Sequence, residues 1–166
     1  MEILHVVVIV AALLCALVTG LLFGFVVVAM PGIGTLPDRD FLRGFRVMDR
    51  VIQDGHPLFM AAWIGSVLAV VATAVLGVLQ LEGSERVLAV AAAAVYLLGV
   101  QLPTAAINIP MNNKLQSLEL EAMDDAAMSS ARLDFEERWN RWNTIRTGLG
   151  VVTTVLLLIL LLQLTP

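Results

Sequence analysis

Charged side chains are scarce in this sequence, and long stretches of it have none. Asp, Glu, Lys and Arg make up 14% of the 166 residues, whereas 59% are hydrophobic. Residues 3–30, 57–81, 87–109 and 147–164 contain no Asp, Glu, Lys or Arg at all. An α-helix needs about 20 apolar residues to cross the hydrocarbon core of a bilayer. The four stretches therefore predict four membrane spans, and they exclude a soluble globular protein.

Residues that commonly carry enzyme chemistry are equally rare. The lone Cys15 lies within a span and has no disulfide partner, so we expect it to pack as a small hydrophobic side chain. His5 and His56 begin adjacent spans at opposite membrane faces, which excludes a haem held by both. No spacing of Cys, His and carboxylates indicates zinc or iron, and no glycine-rich motif indicates a nucleotide. We therefore expect no metal, no cofactor and no nucleic-acid partner.

The predicted fold is all-α: a single transmembrane domain over residues 1–166, built as an integral membrane four-helix bundle. The strands of a membrane barrel would alternate in hydropathy over about ten residues, and no such alternation is present. In the first long loop, Phe41, Phe45, Met48 and Ile52 recur at the spacing of one helix face. We therefore expect a helix there, either at the interface or packed on the bundle mouth.

Proline, glycine and acid–base pairs indicate where helices end and where they continue. Met30, Pro31 and Gly32 are expected to end the first helix, because proline restricts the residue before it and glycine permits a turn. Pro103 is expected to kink the third span. Residues 110–146 contain good helix formers and acid–base pairs four residues apart. This pattern predicts a helical extension that is continuous with the fourth span.

The basic residues are distributed unevenly between the two sides of the predicted bundle. With four spans, both termini and the loop of residues 82–86 share one side, which carries a single basic residue, Arg86. The loops 31–56 and 110–146 share the other side and carry the remaining nine Lys and Arg residues. An excess of Lys and Arg marks the cytoplasmic face. We therefore expect a multi-pass protein of the cell membrane with both long loops in the cytoplasm and both termini outside.

A stripe of small residues runs along the first span. Ala16, Gly20 and Gly24 recur every four residues, a spacing that lets a second helix approach closely. The stripe has two interpretations. It is either an interface between copies of the chain, which would make a homo-oligomer, or a packing surface inside the bundle.

Polar and aromatic residues collect at one end of the predicted bundle, on the side of the long loops. The set is His56, Asn108, Asn112, Asn113, Trp139, Trp142, Asn143 and Arg146. Each residue alone has a structural explanation, since Trp and Arg are common at membrane interfaces and Asn is common in turns. Their concentration at one bundle mouth favours a ligand pocket between the helices.

Three motifs are spread over most of the chain. They are Phe23-x-Phe25 followed by Met30-Pro31-Gly32, Asn108-x-Pro110-x-Asn112-Asn113-x-Leu115, and Trp139-x-x-Trp142-Asn143-x-x-Arg146. Together they resemble the anthrone oxygenase-like family of small four-helix membrane proteins, over roughly residues 15–150. The resemblance implies oxidation of anthrones to anthraquinones by dioxygen, without an evident cofactor.

The resemblance also implies roles for the clustered residues. Asn143 and Arg146 would hydrogen-bond the substrate oxygens and stabilise an enolate, and His56 would take the benzylic proton. Flat aromatic rings would stack on the tryptophans. The expected substrate-binding residues are Asn108, Asn112, Asn113, Trp139 and Trp142.

Two functions from different classes follow from these observations. The first is a membrane-embedded, cofactor-independent oxygenase that acts on a lipophilic anthrone, phenol or quinol. The second is a non-catalytic membrane protein that binds a lipophilic ligand or serves as a partner subunit of an envelope or transport complex. In both cases the expected partners are the lipid bilayer and a lipophilic small molecule.

Overall fold

The computed structural model describes residues 2–164, and nearly all of them are helical. The five long helices are α1 (Glu2–Gly34), α2 (Asp38–Gln53), α3 (Pro57–Gln80), α4 (Gly83–Gln116) and α5 (Asp125–Leu164). A short 3₁₀ turn, Leu120–Ala122, lies between α4 and α5. No strand occurs within residues 2–164, so the all-α prediction is confirmed.

Four of the helices, α1, α3, α4 and α5, are long and apolar enough to cross a membrane. The chain is thus a multi-pass membrane protein, as the four uncharged stretches predict. The four helices form a ring, in which α1 packs against α3 and α5, and α4 packs against the same two helices. Helix α2 lies across one end of this ring and contacts the ends of α1 and α4 as well as α5.

The interior of the bundle has three apolar layers. The layer near the termini includes Leu4, Leu81 and Leu160, and the middle layer surrounds Cys15 and Tyr96. The third layer, at the α2 end, is rich in aromatic side chains and sulfur, with Phe41, Phe45, Met30, Met128, Phe135 and Trp139 among its members. The loop helix predicted from Phe41, Phe45, Met48 and Ile52 is therefore confirmed, because its apolar face closes this layer.

The first helix does not end at Pro31, contrary to expectation. It continues to Gly34, where Thr35 caps it by donating to the Gly32 carbonyl at 2.8 Å. A π-helical segment, Phe25–Ala29, ends two residues before the proline. Its wider turn accommodates the proline ring, which has no amide hydrogen to donate.

The helix that contains the third predicted span is longer than its apolar stretch. Helix α4 reaches Gln116, seven residues beyond the end of that stretch at 109. Pro103 stands between two π-helical segments, Leu97–Gln101 and Thr104–Asn108. The proline is thus accommodated by a local change of helix type on both sides. The helical extension before the fourth span is confirmed, because α5 is continuous over 40 residues.

The arginines of α2 hold the connection between α4 and α5. Arg39 donates to the carbonyls of Leu120 and Met123, both at 2.9 Å. Arg43 forms an ion pair with Glu121 at 2.6 Å, which lowers the pKa of that carboxyl. Three residues on, Arg46 donates to the carbonyl of Leu118 at 3.1 Å. These contacts fasten α2 across the end of the ring.

The small-residue stripe of α1 does not pack against another helix of the bundle. Ala16 and Gly20 are exposed, and a Cβ atom at Gly20 or Gly24 would meet nothing within 4 Å. The close approaches inside the bundle use other glycines, such as Gly77, whose added Cβ would lie 2.6 Å from that of Ala89. The homo-oligomer interface remains a prediction.

Candidate ligand cavity at the α2 end

A cavity of about 360 Å³ lies between the middle and the aromatic layers, at the α2 end of the ring. All four spans and α2 contribute to its walls. The polar side chains on it are Asp49, Gln53, Gln101, Thr104, Asn108, Asn112, Asn113, Asn143 and Arg146. Most of the remaining lining is aliphatic or aromatic, as is usual for a pocket that holds a small organic molecule.

Arg146 is a buried cation on this cavity without a counter-charge. Its side chain is on α5, next to the start of the apolar stretch 147–164, and the residue is only 4% exposed. Nη1 donates to Thr104 Oγ1 at 2.8 Å, and Nη2 donates to Asn143 Oδ1 at 2.9 Å, so both acceptors are neutral. Nε has no hydrogen-bond partner among the described residues, and no carboxylate within 2–164 forms an ion pair with this arginine. An anionic ligand atom would supply the missing charge.

The two acceptors of Arg146 are themselves held by neighbouring backbone. Asn143 donates its side-chain amide to the Leu22 carbonyl on α1 at 3.0 Å. Thr104 donates its hydroxyl to the Val100 carbonyl at 2.6 Å. Because each acceptor is oriented by a second bond, the guanidinium plane is fixed before any ligand arrives. The arrangement ties α1, α4 and α5 together around one cation.

Two further side chains on the cavity have unused hydrogen-bonding atoms. Asn108 is 2% exposed, and neither its amide nitrogen nor its amide oxygen has a partner within the described chain. Gln101 accepts a bond from Trp63 Nε1 at 2.8 Å, but its own amide nitrogen is unpartnered. Buried polar atoms normally find partners, since an orphan costs about 1–3 kcal/mol. These atoms mark where polar atoms of a ligand or water would bind.

Asp49 is a buried carboxylate on the opposite wall of the cavity. It is 3% exposed and accepts hydrogen bonds from the side-chain amides of Gln53, Asn112 and Gln116, at 2.6, 2.7 and 2.9 Å. Asn112 in turn accepts a bond from Trp139 Nε1 at 2.8 Å. The carboxylate therefore links α2 to the end of α4 and, through Asn112, to α5.

Aromatic rings form much of the apolar wall. The ring of Trp139 lies 5.5 Å from that of Phe25 and 5.1 Å from that of Phe45, measured between centroids. On the other side of the cavity, Phe59 stacks on Trp63 with centroids 6.1 Å apart. Phe25, Phe45, Phe59, Trp63 and Trp139 all line the cavity, so an aromatic ligand there would pack against aromatic rings.

The structure brings together most of the site residues predicted from the sequence. Six of the eight line the cavity: Asn108, Asn112, Asn113, Trp139, Asn143 and Arg146. Trp142 is half-buried on a different face of α5 and does not line it. His56 precedes α3 as its N-cap residue, is exposed, and lines a neighbouring groove on the outer surface instead.

Sequence reasoning missed Asp49 and Trp63. Asp49 had a detectable signal, because it follows Phe41 and Phe45 at intervals of four and so falls on the buried face of α2. An acidic residue on such a face requires a partner or a function. Trp63 lies within an uninterrupted apolar span, where nothing distinguishes a cavity-lining tryptophan from one that faces lipid.

Comparison with known protein families agrees with this geometry. The family model of the anthrone oxygenases matches residues 48–156, well over half of the chain. The chain belongs to the anthrone oxygenase family. The matched region contains α3, α4, the 3₁₀ turn and most of the cavity lining, including Arg146. No curated protein and no solved structure matches the chain.

Membership of the anthrone oxygenase family agrees with the resemblance carried by the Asn-rich and Trp-rich motifs. It also bears on the chemistry that the cavity would support. Among residues 2–164, no group of three or more His, Cys, Asp or Glu side chains is placed to hold a metal ion. The polar groups that the cavity offers are therefore a fixed guanidinium, side-chain amides and one carboxylate.

Proposed function

We propose that this protein is a membrane-embedded oxygenase that converts a lipophilic anthrone, or a related phenol or quinol, with dioxygen. The observation that carries the proposal is the buried, uncompensated guanidinium of Arg146 on a largely apolar cavity. The family match supports the same reaction class. The substrate ring system would pack between Trp139 and the Phe59–Trp63 pair.

The guanidinium would act on the charge that develops during deprotonation. An anthrone carbonyl is neutral, but its oxygen becomes negative when the ring carbon opposite loses a proton and the enolate forms. A fixed cation in a site of low dielectric constant stabilises that charge far more than it stabilises the neutral ketone. The unpartnered amide of Asn108 is available to donate to the same oxygen or to a neighbouring hydroxyl.

The reaction balances with dioxygen as the oxidant. The ring CH₂ loses one proton to the base, and the resulting enolate transfers an electron to dioxygen and combines with it to give a peroxide anion at that carbon. The peroxide takes the proton back from the base and becomes a hydroperoxide. The base then removes the second C–H proton, the C–H electron pair forms the ketone, the O–O bond breaks, and the departing hydroxide takes that proton to become water. One oxygen atom becomes the new ketone and the other leaves in the water molecule.

Asp49 is the proposed proton acceptor. Among the described residues of the cavity wall it carries the only carboxylate, and three amide donors fix its position. The geometry gives His56, the base suggested by the family resemblance, no contact with the cavity. His56→Gln should therefore leave the rate unchanged, whereas Asp49→Asn should lower it.

The test is oxidation of emodin anthrone by the purified protein in detergent, with the uncatalysed background subtracted. We expect one dioxygen consumed per anthraquinone formed, and one atom of ¹⁸O from ¹⁸O₂ in the new ketone. Arg146→Met should lower kcat/KM by about 10²–10³-fold, the range for removal of one oxyanion-stabilising donor. A wild-type rate equal to background with every anthrone and hydroquinone tried would contradict the proposal.

A second function rests on the same cavity. If the wild-type protein binds a hydroxyanthraquinone tightly but never turns over an anthrone, the cavity belongs to a non-catalytic carrier or partner subunit. In that case Arg146→Met should weaken binding of the ionised ligand selectively. The pH dependence of binding would then follow the pKa of the ligand phenol.

A further inference from the structure

We propose that the lipophilic substrate reaches the cavity sideways from the bilayer, through a groove between α1, α2 and the start of α3. This inference rests on the proposed function for the identity of the ligand, but its test requires only that the ligand binds. The groove measures about 570 Å³ and is apolar apart from His56 at its edge. It lies on the outer surface of the ring, next to the cavity.

Two glycines leave part of the groove lining without side chains. Gly20 and Gly24 of α1 form part of its lining, and a Cβ atom at either glycine would meet nothing within 4 Å. Leu21, between them, is 39% exposed. On the facing side, Val51 of α2 is 52% exposed. The small-residue stripe therefore leaves open space along the outer side of α1.

A thin apolar wall separates this groove from the cavity. Four side chains line both spaces: Leu21, Phe25, Ile52 and Phe59. Because the same side chains face both spaces, rotation of one or two of them would connect the groove with the cavity. Phe25 is the first residue of the π-helical segment of α1. Short π-helical segments of this kind recur at functional sites.

The second approach to the cavity is polar. Gln53 and Gly55, in the exposed connection between α2 and α3, line the cavity on that side. A lipophilic anthrone dissolved in the bilayer would have to leave the membrane to use that mouth. Water and protons, in contrast, would reach or leave the cavity through that mouth without crossing the bilayer. The two openings therefore serve different molecules: the ring system enters through the apolar wall, and the water formed in the reaction leaves through the polar mouth.

The experiment measures how fast a ligand enters, using proteoliposomes and 1,8-dihydroxyanthraquinone as the probe. Binding is followed by stopped-flow quenching of the fluorescence of the cavity tryptophans, Trp63 and Trp139. Gly20→Leu and Gly24→Leu fill the groove without touching the cavity. We expect both variants to lower the association and dissociation rate constants together, by about tenfold or more, with Kd unchanged.

Gly148→Leu is the matched control. Gly148 is also an exposed glycine of a spanning helix with nothing within 4 Å of an added Cβ, but it lines neither the groove nor the cavity. Its rate constants should equal those of the wild type. Unchanged kinetics in both groove variants, or slowing that is equal in the control, would overturn the route.

The outcome for the route is separable from the outcome for the enzyme. Slowed binding in the groove variants together with no turnover in the wild type would keep the route and reject the oxygenase. Absence of any quenching in the wild type would reject the cavity as the binding site and the route with it. A changed Kd with unchanged rate of entry would show that the groove is not the path.

Discussion

Arg146 lies at a buried position, where an arginine lowers the stability of the fold unless an anionic group binds it. It is 4% exposed, within a membrane-spanning helix, and its partners are the neutral oxygens of Thr104 and Asn143. A buried charge without an ionic partner is costly, and functional sites commonly keep such groups at the expense of stability. Substitution of Arg146 therefore distinguishes a structural role from a binding role, because the first predicts a loss of stability and the second a loss of ligand affinity.

We predict that Arg146→Met leaves the thermal midpoint in detergent unchanged or raises it, while it weakens binding of 1,8-dihydroxyanthraquinone at a pH where the phenol is ionised. The loss should be about 1.5–3 kcal/mol, the value for a hydrogen bond to a charged group. Arg146→Lys should also bind poorly, because an ammonium cannot reproduce the fork that reaches both oxygens. Arg138→Met, on the exposed face of the same helix, is the control. A destabilised protein with unaltered affinity would assign Arg146 a purely structural role.

Asn108 and Asn143 both line the cavity, but their removal is expected to affect stability differently. Asn108→Leu removes two unpartnered buried atoms, so we expect stability to be kept or improved while turnover falls. Asn143→Leu removes an amide that joins Arg146 to the Leu22 carbonyl. It should lower the thermal stability by about 1–3 kcal/mol in addition to lowering activity. Equal stability losses in the two variants, measured by chemical denaturation, would argue against an unoccupied polar site at Asn108.

Helix α2 is held in place by polar contacts as much as by its apolar face. Three of its four arginines bind the α4–α5 connection, and Asp49 binds the amides of Asn112 and Gln116 on α4. The nine basic residues on this side of the bundle are therefore partly structural. The charge asymmetry indicates the cytoplasmic face less directly than it would if these side chains were free.

Asp49→Leu should detach α2 from the end of the ring. The change removes the carboxylate to which the half-buried amides of Asn112 and Gln116 donate, two bonds each worth about 1.5–3 kcal/mol. Gln116 keeps only its bond to the Arg46 carbonyl, at 3.0 Å. We expect faster amide hydrogen exchange throughout α2, with the middle of α3 unaffected. Asp40→Leu, at an exposed position of the same helix, should not change the exchange. Equal amide exchange rates in α2 of the wild type and of Asp49→Leu would mean that the apolar face alone holds α2.

The helices and most of the cavity could be predicted from the sequence because periodicity and hydropathy are local signals. The spans, the loop helix with Phe41 and Phe45, and the continuous α5 all follow from such signals. The predicted end of the first helix at Pro31 is wrong, since the helix continues past the proline after a π-helical segment. The π-helical segments on both sides of Pro103 had no signal in the sequence pattern either, because they depend on the packed neighbours. Whether Trp142 faces the cavity, and on which surface His56 lies, depend on how the helices associate. The spacing of residues along the sequence does not encode that association.

For the molecule as a whole, the excess of Lys and Arg on the side of the two long connections predicts one orientation in the membrane. Both long connections should be cytoplasmic. Single cysteines at Ser84 and Ser117, both exposed, in a Cys15→Ala background test this. We expect an impermeant maleimide added outside the cell to label the cysteine at 84 and not the one at 117. The reverse pattern would invert the orientation, and with it the side on which the cavity opens to water.

The π-helical turns have a consequence for how such a site could be lost. A π-helical turn closes its hydrogen bonds over one residue more than an α-helical turn, and each α-helical residue rotates the chain by about 100°. Phe25, Gln101, Thr104 and Asn108 all fall within these turns and all line the cavity. Deletion of one residue from Thr104–Asn108 would restore a regular helix and turn Asn108 away, while the apolar face that builds the bundle could re-form. A lineage could thus lose the chemistry by a single codon deletion and keep the membrane protein.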